Sequence, residues 1–423
     1  MRRHTDGACK HFVLFAHGLR GRTGLGPIRS DGGLDAGKVP IDRSCDETGG
    51  MMAITGAGED RGSPSSRSIS LYLGRLLVQF PKSALRRQAR TNMMPNVSFS
   101  VVIANYNYER FVGQAIESAL SQDWPRLEVI VVDDGSSDDS ATVIRAFGNR
   151  ITAVFKENGG QREANNTGFQ RSSGDVVIFL DADDVLVPGA LRAIAEVWRP
   201  GLSKVQVQMQ RVDALKRPIR NIIPKIPAGL SPEAIRQWAW TTSEYPSPPG
   251  SGNAWSRSFL EQIFPLDESH DSFTDSTCIA MAPYVGDVET IAKPLVLYRM
   301  HGGNDSAMSA NHTNFRREIV RAIKRHAAAC EACAMVGRTP PPLNTLFRGP
   351  HLLQLRIASL RLTPDQHPLP GDSRPRALLD ALMFPFRSNF EQTRFRVLVA
   401  GWSVLTLLAP RKLANALIRK RFI

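Results

Sequence analysis

Cysteine is scarce in this sequence and irregularly spaced. The 423 residues contain five cysteines, at positions 9, 45, 278, 330 and 333. An odd number without a framework spacing argues against a disulfide-stabilised scaffold and indicates a reducing compartment. Cys330 and Cys333 lie close together in an Ala-rich stretch, 321–336, with no second pair. We therefore expect them to pack within a helix rather than to bind a metal ion.

The sequence has no apolar run long enough to favour a membrane-spanning helix. The run Val397–Leu408 has 12 residues, whereas a span needs about 20. Arg394 and Arg396 precede this run, and Arg411 and Lys412 follow it. The pattern predicts an interfacial helix that lies on a membrane. The alternative is a helix packed on the body of the protein.

Acidic residues do not balance the basic ones. The chain has 53 Lys and Arg against 40 Asp and Glu, a formal net charge of +13 and a pI near 9.9. The excess is concentrated in the first ~90 and the last ~80 residues, which leaves a nearly neutral middle. Aromatic-studded basic segments of the RNA-binding type are missing. We expect no nucleic-acid partner, and an anionic membrane surface is the better candidate.

Apolar segments that end abruptly in polar residues predict the central fold. They are Phe99–Ala104 before Asn105-Tyr106-Asn107, Leu127–Val132 before Asp133-Asp134-Gly135-Ser136, and Val176–Leu180 before Asp181-Ala182-Asp183-Asp184. Helical periodicity follows each segment, which predicts a doubly wound α/β domain with a mostly parallel sheet flanked by helices. Because such strands end at one edge of the sheet, we expect the polar residues to share a cleft.

The chain divides into three parts. Residues 1–94 are a basic, low-complexity segment that we expect to be disordered or an over-extended start, since Met93-Met94 directly precedes the first core strand. Residues 95–310 form the α/β domain. Within it, Lys204–Val212 alternates apolar and polar residues, which predicts a half-exposed strand. Residues 311–423 form a basic, helical extension whose tail is the predicted membrane-associating segment.

Carboxylates crowd the end of the third segment. Asp181, Asp183 and Asp184 would repel one another unless hydrogen-bond donors or a divalent cation lie nearby. Hard oxygen ligands suit Mg²⁺ or Mn²⁺, which bridge to phosphates. Asp134 could accept from a nucleobase or a ribose hydroxyl, and Gly135 permits close approach of the backbone. Together these residues favour a nucleoside diphosphate as ligand.

With these motifs the chain resembles the inverting glycosyltransferases of family 2, which have the GT-A fold. The similar blocks are Ser100–Asn107, Val131–Ser136, Asn158–Gln161, Asn166–Gly168, Phe179–Asp184 and Tyr298–Gly302. They cover about residues 97–306 in the order of the family. The resemblance implies nucleotide-sugar binding by Ala104, Tyr106, Asp134 and Asp181. It places Tyr106 at the base, Asp134 at the uracil or an equivalent edge, and Asp181 at the ribose.

The resemblance also implies a metal site and a catalytic base. Asp183 would be the ligand of Mg²⁺ or Mn²⁺, and His301, after the last strand, would reach the metal or the diphosphate. The family places its base at a helix start as Glu-Asp, and here Thr274 replaces the Glu before Asp275. Asp275 is the predicted base and Asp271 the second choice.

Aromatic residues give a further expectation about the acceptor. Trp240 and Trp255 could stack on a sugar near the turn 249–254, or they could belong to the core. The sequence leaves both alternatives open.

The predicted function is transfer of a sugar, with inversion, from a UDP- or dTDP-linked donor to a hydroxyl acceptor. The acceptor would be a glycan or a lipid-linked intermediate of polysaccharide or cell-surface glycan synthesis. The predicted location is cytoplasmic, with a peripheral site on the inner face of the plasma membrane. Two alternatives remain, a non-catalytic nucleotide-sugar-binding scaffold and a nucleotidyltransferase. The second should carry a Gly-rich phosphate loop after its first strand, where this chain has Ala104–Asn107.

Overall fold

Eight strands form one mixed, mostly parallel sheet. The structure is a computed structural model that describes residues 96–219, 221–301, 313–387 and 392–422. The expectation for residues 1–94 therefore lies outside the described residues, as does Gly302 of the last similar block. The strands are β1 (Phe99–Asn105), β2 (Leu127–Asp133), β3 (Thr152–Phe155), β4 (Val176–Asp181), β5 (Val185–Leu186), β6 (Leu202–Val212), β7 (Asn253–Ser256) and β8 (Asp287–Arg299).

The order of the strands brings the predicted polar residues together. Across the sheet they run β3-β2-β1-β4-β7-β6-β8-β5, and the first four are parallel to one another. Their register pairs Asn105 with Asp133 and Ala104 with Asp181. The polar groups that follow β1, β2 and β4 therefore meet at one edge of the sheet, as the sequence predicts.

Strand β6 differs from its prediction. The alternation of Lys204–Val212 predicts one solvated face, but Lys204 and Gln206 are completely buried. β6 lies inside the sheet, antiparallel to β7 and parallel to β8. Its polar side chains are satisfied by the protein: Gln206 donates to the Pro246 carbonyl and to Thr290. Polar residues on a strand therefore marked an internal hydrogen-bond layer here, not solvent.

Helices cover both faces of the sheet. They are α1 (Val112–Leu120), α2 (Ser140–Arg145), α3 (Gln161–Arg171), α4 (Ala190–Val197), α5 (Pro232–Thr242), α6 (Arg257–Leu260) and α7 (Thr274–Val285). Val101 and Ile103 share an apolar cluster with α1 and α4, whereas Val102 shares the other cluster with α3 and α7. On that second face Gly168 permits close packing, because a Cβ there would lie 2.2 Å from Cγ1 of Val102.

The C-terminal part is helical, as predicted. It contains α8 (Thr313–Met335), α9 (Pro350–Leu362), α10 (Arg374–Arg387), α11 (Thr393–Leu408) and α12 (Arg411–Phe422). Cys333 of α8 is buried in the cluster that holds Met281 of α7, so the extension shares a core with the sheet domain. Arg356 on α9 is fully buried and donates to Asp372 at 2.7 Å and to Asp380 at 3.0 Å. Among the described helices none is long and apolar enough to cross a membrane.

Candidate active site

A cavity of about 780 Å³ lies at the carboxyl ends of β1, β2 and β4. This volume is in the range of small-molecule sites. The strand ends, the loops that follow them and the C-terminal extension all contribute to its wall. The lining residues that bear on function are Ala104, Tyr106, Asp134, Gln161, Asp181, Asp183, Gly250, Asp275, Arg317, Glu318, Arg321 and His351.

The three carboxylates after β4 have different surroundings. Asp181 and Asp183 line the cavity. Asp184 is completely buried, and its Oδ1 accepts a 3.0 Å hydrogen bond from the backbone N–H of Arg299. Arg299 in turn donates through Nε to the Asp183 carbonyl at 2.7 Å. Asp184 and Arg299 thus fix the turn that presents the other two carboxylates to the cavity.

Asp183 and His301 form a close pair. Nε2 of His301 lies 3.0 Å from Oδ2 of Asp183. The imidazole stacks on Phe111 at 4.9 Å between ring centroids and meets Tyr108 edge-on at 5.8 Å. The packing holds the ring in one orientation beside the carboxylate. The two residues predicted as metal ligands are therefore adjacent, although 118 positions separate them in the chain.

The residues present fit a divalent cation that shares its coordination with a substrate. Among the described residues, no group of three or more His, Cys, Asp or Glu is arranged to hold a metal by itself. A carboxylate and an imidazole side by side at the cavity are two suitable ligands. Mg²⁺ commonly takes one or two carboxylates from a protein and completes its shell with substrate phosphates and water.

Asp134 organises the loop opposite the carboxylates. Its oxygens accept hydrogen bonds from Lys156 Nζ at 2.6 Å, Gly159 N at 3.0 Å and Gly160 N at 2.7 Å. Gly135 next to it has φ +75°, and a Cβ there would lie 2.8 Å from a backbone nitrogen of the facing loop. Because an ionised carboxylate offers about four lone-pair sites, Asp134 can hold this loop and still accept from a ligand.

Three further predicted nucleotide-binding residues also lie at the cavity. Tyr106 is exposed there, which leaves its ring available to a planar ligand, and Ala104 contributes a small side chain. Asp181 receives a hydrogen bond from Nε2 of Gln161 at 3.1 Å, and its backbone N–H donates to Ser251 Oγ at 3.0 Å. Burial raises the pKa of Asp181 to about 8, and the nearby carboxylates of Asp183 and Asp275 contribute. The cavity thus favours a ligand that brings positive charge to the carboxylates.

Asp275 and Asp271 are distinguished by their partners. Asp275, in the first turn of α7, lines the cavity, and its Oδ2 accepts from the Gly250 N–H at 3.1 Å. Burial raises the pKa of Asp275. Asp271 instead forms an ion pair in which Arg321 Nε donates to its Oδ2 at 2.8 Å. Burial alone would raise the pKa of Asp271, but the Arg321 hydrogen bond contributes to a net lowering.

A buried network behind the Gly250 turn was missed at the sequence level. Lys204 is fully buried, and its Nζ donates to Asn253 Oδ1 and to Ser247 Oγ, each at 2.8 Å. Nδ2 of Asn253 donates to the Gly250 carbonyl at 3.1 Å and to the carbonyls of Pro248 and Pro249. The network shapes the turn whose N–H holds Asp275. A lysine in an apolar strand pattern was the available signal.

The C-terminal extension contributes to the cavity in a way the sequence did not indicate. Arg317, Glu318 and Arg321 of α8 and His351 of α9 lie in its wall. Arg321 Nη1 donates to Glu318 at 3.2 Å as well as holding Asp271. No local motif marks these residues, because only the packing of α8 against α7 brings them to the site.

The two tryptophans resolve into different classes. Trp255 is 1% exposed and stacks on Phe259 at 5.9 Å, so it belongs to the core and cannot serve as a sugar platform. Trp240 is 38% exposed on α5 and lies outside the lining of the main cavity. Trp255 thus follows the core alternative.

Comparisons with known proteins agree with the fold and the cavity. The family model for Glycosyl transferase family 2 matches residues 100–264. An uncharacterized glycosyltransferase from a Nostoc species is 35% identical over 225 residues, which cover 52% of this chain and 69% of that protein. Glycosyltransferase GlyA of Streptococcus pneumoniae is 34% identical over 95 residues, 22% of this chain and 14% of that one.

Two solved structures were also found. Staphylococcus aureus TarS 1-349 in complex with UDP-GlcNAc gives a TM-score of 0.44 at 16% identity, covering 73% of this chain and 90% of that one. The mannosyltransferase PcManGT of Pyrobaculum calidifontis, in complex with GDP-Man and Mn²⁺, gives 0.41 at 17% identity, covering 80% of this chain and 91% of that one.

The sheet and its site define the class of protein. A mixed, mostly parallel sheet flanked by helices, with carboxylates from several strand ends around one cavity, is the GT-A arrangement that the sequence predicts. The Nostoc relative and the match over residues 100–264 then specify the family. The chain belongs to glycosyltransferase family 2.

Proposed function

We propose that this chain is an inverting glycosyltransferase that moves a sugar from a nucleoside-diphosphate donor to a hydroxyl acceptor. The observation that carries the proposal is that Asp134, Asp181, Asp183 and Asp275 line one cavity, although they come from four separate segments of the chain. Such a site can hold a nucleotide, its diphosphate and an attacking hydroxyl together. The GT family 2 membership supports the same reaction.

The nucleoside would lie between Tyr106 and the loop held by Asp134. The exposed Tyr106 ring offers a stacking face to the base. The second oxygen of Asp134 can accept from a base N–H, and Asp181 from a ribose hydroxyl. Because uracil and thymine share the same N3–H edge, this arrangement suits a UDP- or dTDP-linked sugar.

Asp183 and His301 would hold Mg²⁺ or Mn²⁺ at the diphosphate. When bound, the cation supplies Lewis-acid stabilisation of the leaving nucleoside diphosphate. The role of the chain is to orient the two ligands: Phe111 and Tyr108 fix the imidazole, and Arg299 fixes the backbone at Asp183. The metal site is thereby preorganised on rigid elements.

Asp275 would act as the general base. It takes the proton from the acceptor hydroxyl as the acceptor oxygen bonds to C1 of the sugar and the bond from C1 to the diphosphate oxygen breaks. A single displacement of this kind inverts the configuration at C1. The raised pKa of Asp275 makes its carboxylate a stronger base than an exposed Asp, and the Gly250 N–H orients it. Asp271 is engaged by Arg321 and would be a poorer proton acceptor.

The acceptor and the location are part of the same proposal. A glycan or lipid-linked hydroxyl would enter beside Asp275, where α8 supplies Arg317 and Arg321 to the cavity wall. We place the enzyme in the cytoplasm and at the inner face of the plasma membrane, because the basic C-terminal helices suit an anionic surface. A lipid-linked acceptor would then be presented at the membrane where the enzyme lies.

A donor-turnover assay tests the proposed function. Full-length protein would be incubated with UDP-, dTDP- and GDP-sugars and Mn²⁺, and release of the nucleoside diphosphate would be measured with and without membrane extract as acceptor. We expect release from one donor class, stimulated by acceptor and lost in Asp275→Asn. Nucleotide binding without any release from any donor, in the presence of acceptor, would instead favour a non-catalytic scaffold.

A further inference from the structure

Helix α10 has an apolar stripe that the protein does not cover. Leu379, Leu382, Met383 and Phe386 are all exposed, and Phe386 is 80% exposed. Their spacing of three, four and seven residues places them on one face of the helix. The opposite face carries Ala377, Ala381 and Phe384, which are buried. Soluble proteins rarely expose apolar groups in such a contiguous pattern without an interaction partner.

Helix α11 repeats this arrangement. Val399 and Leu407 pack with Phe384 in one cluster, whereas Leu398 and Leu408, 71% and 68% exposed, remain outside it. The Val397–Leu408 run is therefore both alternatives at once, since one side packs on the protein and the other side is left uncovered. The sequence signal marked α11 but not the cleaner stripe on α10.

The charge around these helices has one sign. Residues 374–423 contain two acidic residues, at 380 and 391. They contain ten basic residues, at 374, 376, 387, 394, 396, 411, 412, 419, 420 and 421. The acidic Asp380 is nearly buried and bonds to Arg356 and Arg387. A second copy of this face would repel it, whereas an anionic surface would attract it.

A basic cavity borders the α10 stripe. It measures about 780 Å³ and is lined by Arg348, Arg376 and Arg387 together with Phe347 and Leu379. The guanidinium of Arg376 lies 3.7 Å from the ring centroid of Phe347, which holds it at the mouth. Leu379 belongs to both the cavity and the stripe. Guanidinium groups beside an apolar ridge match a lipid phosphate above its acyl chains.

We propose that α10 and α11 dock the enzyme on an anionic lipid bilayer. Leu379, Leu382, Met383 and Phe386 enter the boundary between headgroups and acyl chains, and Arg376 with its neighbours binds lipid phosphates. Helix α10 lies on the membrane, as its 14 residues are too few to span it. The proposal rests on the proposed membrane location and does not depend on the transfer reaction.

Vesicle flotation of the full-length chain tests this surface. Wild type would be compared on phosphatidylcholine vesicles and on mixed phosphatidylcholine–phosphatidylglycerol vesicles. We expect binding to the mixed vesicles only. The double variant Leu382→Asp, Phe386→Asp should bind them at least tenfold more weakly, and Arg376→Gln with Arg394→Gln about tenfold more weakly. Leu215→Asp, at a 71% exposed leucine in the sheet domain, is the matched control and should bind as wild type.

Two further readouts separate the possible failures. Nucleotide titration of each variant should match wild type, which shows that the fold is intact. Undiminished vesicle binding by the Leu382/Phe386 double variant would overturn the proposal, as would equal binding of wild type to neutral vesicles. A wild-type dimer that this variant dissociates, without vesicle binding, would also overturn it. Vesicle binding without nucleotide binding would leave the docking surface intact and remove the proposed donor function.

Discussion

The backbone N–H of Gly250 donates a 3.1 Å hydrogen bond to Oδ2 of Asp275. The same glycine touches the other side of the site, because a Cβ on it would lie 3.2 Å from Oδ2 of Asp181. One turn therefore holds the proposed base and closes against the proposed ribose ligand. The geometry of this turn links donor binding to proton transfer.

Asp275→Asn is expected to remove the base without removing the donor site. Asparagine has nearly the same shape but accepts no proton, so turnover should fall by about 10²–10⁴-fold. Binding of the nucleoside diphosphate should stay within about twofold, since a twofold change is only ~0.4 kcal/mol. Steady-state turnover and calorimetric binding on the same preparations check both.

Asp271→Asn is the comparison variant for this prediction. It removes the charge that pairs with Arg321 in a partly buried ion pair, so the thermal midpoint should fall. Turnover at a temperature well below that midpoint should stay much closer to wild type. A larger loss of turnover in Asp271→Asn than in Asp275→Asn would assign the base to Asp271 instead.

Lys204→Met tests the buried network behind the Gly250 turn. The variant fills a similar volume but leaves Oδ1 of Asn253 without the Lys204 hydrogen bond, a penalty of about 1–3 kcal/mol in the free energy of unfolding. Because Asn253 positions the turn through the Gly250 carbonyl, we expect turnover to fall about tenfold, with little change in nucleotide affinity. Lys204→Gln, which keeps a donor, should recover part of the turnover. Equal losses of turnover and affinity would show a general distortion of the site.

Acid should destabilise the C-terminal helices through Asp372. Burial alone would raise the pKa of Asp372, but hydrogen bonds from Arg356 and His367 outweigh it and lower the pKa to about 2. An unfolded Asp has a pKa near 3.9. The unfolded chain therefore binds the proton more readily, and this contribution, about 2 kcal/mol, is present above pH ~4 and is lost as the pH falls toward 2.

The pH series has a simple readout. The thermal midpoint of Asp372→Asn should lie below that of wild type at pH 7, and the gap should narrow as the pH falls from ~5 toward the folded-state pKa. Asp365, an exposed residue of the same region, provides the control substitution Asp365→Asn, which should follow wild type throughout. A gap that stays constant with pH would mean that Asp372 contributes through packing alone.

The sheet could be predicted from the sequence because its signals are local. Apolar runs such as Val176–Leu180 end at carboxylates, and parallel strands must end at one edge, so the meeting of Asp134 with Asp181 follows without a structure. Strand β6 shows where this reasoning fails. Gln206 appears solvent-facing by alternation, and only a partner layer that is distant in sequence buries it.

The candidate site divides in the same way. Tyr106 and Asp183 belong to short motifs and reach the cavity as predicted. Arg321 and Lys204 carry no motif, since their roles arise from helix and strand packing between remote segments. The exposed stripe of α10 was missed for a related reason. A helix with one apolar face looks the same in sequence whether the face is buried or, like Phe386, left uncovered.

The central claim is that Asp183 and His301 hold a divalent cation at a nucleoside diphosphate. Its most direct test is calorimetric titration of the full-length chain with UDP, dTDP and GDP, each with and without Mn²⁺. The same titration of Asp183→Asn and His301→Ala completes the test. We expect one nucleotide to bind at least tenfold more tightly with Mn²⁺, and this gain to disappear in both variants. Binding that is independent of Mn²⁺, or a gain that persists in both variants, would contradict the account.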